Sequence, residues 1–151
     1  MALDPTILRD SFELIIDRRP DLTVRFYEIL FARHPALEPM FRRERGAQAR
    51  MLAGAIAAVL DHLEDAPWLE ATLGRLGARH LEYGVTTAMY DQVGDALIAT
   101  LAEVAAEGWT PEIERQWTLA YGAIASLMQT GAAAAVAATL TQPRIAATSE
   151  A

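Results

Sequence analysis

The sequence predicts an all-α protein of one domain, and three observations carry that prediction. Alanine and leucine dominate a chain that is 52% hydrophobic over 151 residues, enough apolar surface to build a single core. Apolar positions recur at spacings of three and four, and no run of alternating β-branched residues occurs. Proline and glycine divide the chain into segments of helical length. Six or seven helices are expected across residues 1–140, followed by a flexible polar tail, "TQPRIAATSEA", over 141–151.

Each expected helix has a local cause. Asp4-Pro5 reads as an N-cap followed by proline at the first helical position, opening a helix to about Arg19. Pro20-Asp21 breaks it and starts a second, which ends near His34 because Pro35 disfavours helical geometry at the residue before it. "ALEPMF" leaves room for one tight turn. From Arg45 to Leu63 a stripe of Gln48, Met51, Leu52, Ala55, Ile56, Val59 and Leu63 predicts a third helix. A fourth is expected from Trp68, after Pro67, to about Leu81, closed by Gly84 as a left-handed cap. A long fifth helix spans Thr87 to about Glu107 and stops at Gly108. Thr110-Pro111 restarts the chain, with Glu112 and Glu114 where the helix dipole favours negative charge. The last helix should turn Trp117, Tyr121, Ile124 and Met128 inward.

The net charge of −7 argues against a nucleic-acid partner. All thirteen basic residues are arginine, so no lysine can form a Schiff base. The absence of cysteine excludes disulfides, thiolate metal sites and cysteine nucleophiles. "MALDPTILRDSFEL" has no basic leader, and "MLAGAIAAVL", read as the longest weakly polar stretch, is too short for a bilayer. A cytoplasmic protein with no membrane partner is the expectation.

His80, in "LGARHLEYGV", shares a helix face with Leu73 and Leu76, and Tyr83 follows one turn on. An imidazole so placed is either a satisfied core residue or a ligand. His34 and His62 stand at no short spacing from it, so a zinc site of several histidines is unsupported. One imidazole suffices where a cofactor supplies the other ligands, as haem does for iron.

Six pieces in order resemble one family: "FYEILFARHP", "PMF", "QARML", "RHLEYGV", "YDQVG" and "WTLAYG". Together they make the chain similar, from about Leu8 to Met128, to the single-domain bacterial globins of the flavohaemoglobin-related lineage. The resemblance implies a globin fold around haem b, with iron bound by His80. It implies that the Leu76 carbonyl orients that ring, that Leu76 and Val85 line the proximal side, and that Arg79 meets a haem propionate. Phe41 would pack on the porphyrin and Leu52 would limit the space above the metal. Tyr27 and Gln48 would donate hydrogen bonds to a ligand that draws negative charge.

The chain also departs from this family. Tyr90 matches a tyrosine near the proximal histidine, but the position of its glutamate partner falls on Ala132. A less anionic imidazole results, which favours reversible binding over peroxidase-like activation. The resemblance therefore implies reversible binding of O2, NO or CO by a monomer or weak homodimer. The competing implications are a nitric oxide dioxygenase served by a separate reductase and a haem-based gas sensor. A helical domain that binds no haem is the remaining alternative.

Overall fold

Among the described residues, five of the six α-helices start where a polar side chain takes up free backbone N–H groups of the first turn, the second being the one without such a cap. Asp4 accepts from Thr6 N and Ile7 N, at 3.0 and 3.2 Å, and opens α1, Pro5–Arg18. Glu44 accepts from Ala47 N at 2.8 Å ahead of α3, Arg45–Asp61, following α2, Leu22–Arg33, and a 3₁₀ segment, Pro35–Met40. Asp65 caps α4, Ala66–Glu82, Thr86 caps α5, Thr87–Ala105, and Thr110 bonds Ile113 N at the start of α6, Pro111–Thr141. A second 3₁₀ turn, Ala106–Gly108, separates the last two helices. The computed structural model describes residues 3–141, and among these no strand occurs. The expected tail beyond Thr141 lies outside the described residues.

Three differences from the sequence reading have local explanations. Helix α4 begins at Ala66 because Asp65 is its cap, so Pro67 sits inside the first turn, where a missing N–H costs nothing. Gly84 adopts the expected left-handed conformation (φ 87°), but α5 is ended by Ala106 at φ 51°, with Gly108 only closing the turn. The ten-residue estimate for the longest apolar stretch is also too short. Among the described residues α6 is the one helix long and apolar enough, by length and composition, to cross a membrane. As far as Met128 it places Trp117, Ala120, Ala125 and Met128 in the core, whereas Val136 and Leu140 are exposed.

The core forms three clusters. The first joins Leu8 and Ile15 of α1 to Leu101 of α5 and Trp117 of α6, and Trp117 Nε1 donates to the buried Ser11 hydroxyl at 2.9 Å. A second gathers Phe26, Tyr27, Leu30 and Phe31 of α2 with Leu37, Ala49 and Ala96. The third surrounds Leu73 of α4 with Tyr90, Ala125 and Met128.

Glycines set how α4 is held. Its one substantial neighbour among the described helices is α6. A Cβ at Gly77 would fall within 2.6 Å of Met128 Cα, and one at Gly131 within 2.6 Å of the Gly74 carbonyl carbon. The two backbones approach this closely only because those side chains are absent.

Candidate functional site

His80 lies in the last turn of α4, half-buried, with Nδ1 2.8 Å from the Leu76 carbonyl oxygen. That contact requires the Nδ1–H tautomer, so the Nε2 lone pair is left to meet something else. Among the described residues nothing bonds Nε2. His62 shows that the back-bond alone is not diagnostic. Its Nδ1 lies 2.7 Å from the Ala58 carbonyl, yet its ring is stacked on Trp68, with centroids 3.7 Å apart and 8° between planes. The His80 ring has no such cover among the described residues. Tyr83, past the end of α4, is 62% exposed and its ring centroid stands 6.5 Å away.

A polar pair sits within the second cluster. Tyr27 is 3% exposed, and its hydroxyl accepts from Gln48 Nε2 at 3.1 Å. Burial pushes the phenol above its ordinary value, and the bond from Gln48 partly offsets this. Phe26, Phe31 and Phe41 surround the ring at centroid distances of 5.0, 5.7 and 5.4 Å, with Phe26 and Phe41 edge-on. Tyr27 therefore keeps a neutral O–H in an apolar wall, its own proton unclaimed by any described residue.

These residues border a pocket of about 220 Å³ lined by Tyr27, Phe31, Glu38, Phe41, Arg43, Arg45 and Gln48. His80 does not line it. Four of the lining residues, Phe31, Glu38, Arg43 and Arg45, were not singled out from the sequence. Phe31 was within reach, one turn after Tyr27 on the same face.

Helices α3 and α4 make at most marginal contact with each other. Val59 of α3 joins the cluster around Leu73, but Leu52, two turns earlier, packs with Phe41 into the cluster around Tyr27. Much of the stripe expected to be core on α3 is accordingly half-exposed, and Met51 is open to solvent. Leu76 and Val85 are likewise half-buried members of the third cluster. Two helices with apolar faces that do not cover one another suit a flat apolar group between them. A free imidazole nitrogen and a hydroxyl donor supply the polar contacts, so these residues fit the haem that the resemblance implies.

The remaining expected site residues are less engaged. Arg79 is exposed and forms no ion pair among the described residues. Tyr90 is buried, which raises its phenol above the ordinary value, and its backbone carbonyl accepts from the Tyr121 hydroxyl at 2.6 Å. Among the described residues no bond joins Tyr90 to His80. Ala132, at the expected glutamate position, is buried on α6, and the partner of His80 Nδ1 is a neutral carbonyl. No group of three or more acidic, histidine or cysteine side chains able to hold a metal ion occurs among the described residues.

Comparison with known proteins gives a consistent result. Residues 24–128 match the Globin family. The chain is 30% identical over 118 residues to a flavohemoprotein of Vibrio cholerae, covering 76% of this chain and 30% of that protein. It thus spans about a third of the length of such curated relatives. Among solved structures, a bacterial globin from Campylobacter jejuni superposes with a TM-score of 0.75 at 25% identity, covering 87% of this chain and 96% of that one. A flavohemoglobin from Malassezia yamatoensis with bound FAD and heme superposes with a TM-score of 0.71 at 28% identity, covering 88% and 36%.

Proposed function

The chain belongs to the globin family, and on that premise we propose that it holds haem b through His80 and binds a diatomic gas, dioxygen foremost, reversibly. When bound, haem supplies a metal with four positions filled by the porphyrin, one for a protein imidazole and one open to a gas. His80 offers Nε2 as that imidazole, with the Leu76 carbonyl fixing its tautomer and aim. Phe41 and Leu52, which pack into the cluster around Tyr27, would wall the opposite side, and the exposed Arg79 would be the partner of a propionate. Tyr27 donates its O–H to the negative end of the ligand, and Gln48 holds that hydroxyl in orientation.

The observation that carries the reading is the Nε2 of His80, which no described residue bonds and whose ring no described aromatic side chain covers. Reversibility is supported by the neutral carbonyl behind the ring. A carboxylate there would make the imidazole a stronger electron donor, and Ala132 supplies none. The flavohemoprotein relatives favour a second reading, redox turnover against nitric oxide with electrons from a separate reductase. We place the protein in the cytoplasm as a monomer or weak homodimer.

Absorption spectra of the haem-loaded chain test this directly. Admitting oxygen to the ferrous protein and then removing it should return the starting spectrum over repeated cycles, and carbon monoxide should shift the Soret band. Conversion to the ferric form at each exposure would overturn reversible binding in favour of redox turnover.

A further inference from the structure

Among the described methionines, Met51 alone is exposed. Met128 is buried, Met40 and Met89 are half-buried, and the Met89 sulfur accepts from Thr86 N at 3.4 Å. Met51 is 51% exposed and belongs to none of the three core clusters. In a chain without cysteine, a thioether open to solvent is the side chain readiest for two-electron oxidation.

Its position gives that chemistry a target. Met51 follows Gln48 by three residues on α3, so the two side chains are neighbours on the helix surface, about 5–6 Å apart at Cβ. Leu52, turned by about 100° from Met51, packs into the cluster around Tyr27. Met51 is left at the solvent edge of the same face. The Gln48 amide is held by one bond among the described residues, from Nε2 to the Tyr27 hydroxyl at 3.1 Å. A thioether sulfur is a weak acceptor and does not compete for that amide. A sulfoxide is polar, and its oxygen is an acceptor one helical turn from the Gln48 N–H groups.

We propose that Met51 is an oxidation site, and that its sulfoxide loosens Gln48 from Tyr27 so that bound gas is released faster. The oxidant is hydrogen peroxide. Its O–O bond breaks as one oxygen bonds to sulfur, and the thioether gives up two electrons. The other oxygen leaves as hydroxide and takes up the proton shed by the sulfur-bound oxygen, giving water. The sulfoxide then accepts from Gln48 Nε2, the amide turns outward, and Tyr27 loses the partner that orients its O–H. Reduction to the thioether restores the original bond. The oxidation needs only the exposed sulfur, whereas its effect on gas release rests on the haem reading.

The test uses the haem-loaded full chain in its carbonmonoxy form, so that the gas guards the metal while hydrogen peroxide is added in small excess. Trypsin places Met51 at the head of the peptide that ends at Arg75, apart from Met40, Met89 and Met128. Mass spectrometry should find an added oxygen on that peptide well before the other three methionines are modified. After exchange of carbon monoxide for oxygen, stopped-flow dissociation should be about two- to tenfold faster in the treated protein, the worth of one ordinary hydrogen bond. Methionine sulfoxide reductases should restore the rate, and Met51→Leu should keep its starting rate through the treatment. If Met51 oxidises no faster than Met89, or oxidises without changing dissociation, the proposal falls and the haem reading stands. Equal acceleration in Met51→Leu overturns it as well, because another residue would then carry the effect. A chain that takes up no haem overturns both.

Discussion

Replacing Gly77 by alanine adds one methyl group where two helix backbones touch. The new Cβ would lie within 2.6 Å of Met128 Cα, and closer still to the Met128 carbonyl. Carbon atoms settle at about 3.5–4.0 Å, so α4 must withdraw from α6 by roughly 1 Å or more. The obstacle is backbone, which cannot rotate aside. Overpacking of this kind costs about 1–3 kcal/mol, against which alanine recovers ~0.5–1 kcal/mol of helix preference over glycine. An overlap with backbone this deep takes the upper half of that cost, so the net loss is about 1–2.5 kcal/mol, or roughly 2–10 °C in Tm for a chain of this length. Gly122, also on α6, has nothing within 4 Å of the place a Cβ would take, so Gly122→Ala should instead hold or raise Tm. Thermal unfolding followed by far-ultraviolet circular dichroism, which reports helix content, compares the two. An unchanged or higher Tm for Gly77→Ala would refute the claim that the glycine contact fixes the helix bearing His80.

Tyr27→Phe removes the pocket's hydroxyl donor. One hydrogen bond to a charge-bearing partner is worth about 1.5–3 kcal/mol, so oxygen dissociation measured by stopped flow should accelerate roughly tenfold or more, and an unchanged rate would exclude Tyr27 from ligand contact. Alkaline stability follows from the buried phenols. Tyr27 and Tyr121 both sit above their ordinary value, chiefly through burial, so the folded chain holds these protons more tightly than the unfolded chain. Stability is therefore intact below about pH 10, the unfolded value, and is lost as the pH rises through the folded values. Urea unfolding across that range should show the decline, with a shallower slope in Tyr121→Phe; an equal slope would mean that Tyr121 does not contribute.

The parts of this protein legible in its sequence are those encoded locally. Asp4-Pro5, Thr110-Pro111 and Gly84 mark helix ends through contacts within four residues, and each appears where its chemistry places it. The His80–Leu76 bond is legible for the same reason, being one helical turn long. Gln48 and Tyr27 are 21 residues apart, and only a family pattern brings them together. The Gly77–Met128 approach is invisible locally, because a glycine in a helix gives no sign of which backbone will meet it. The stripe on α3 misled in one respect. Its periodicity announces an apolar face, but cannot tell a face packed on protein from one left uncovered. Arg43 and Arg45 stood in a polar run that reads as solvated surface, and the 3₁₀ turn Pro35–Met40 is what folds it against Tyr27 and Phe31.

The account depends above all on His80 Nε2 reaching a metal. Replacing His80 by glycine leaves a space that free imidazole can fill, and the absorption spectrum of the ferrous protein reports the axial ligand. His80→Gly should lose the wild-type spectrum and regain it when imidazole is added. A variant whose spectrum matches the wild type without imidazole would show that another group holds the metal, and the assignment of this site would fall.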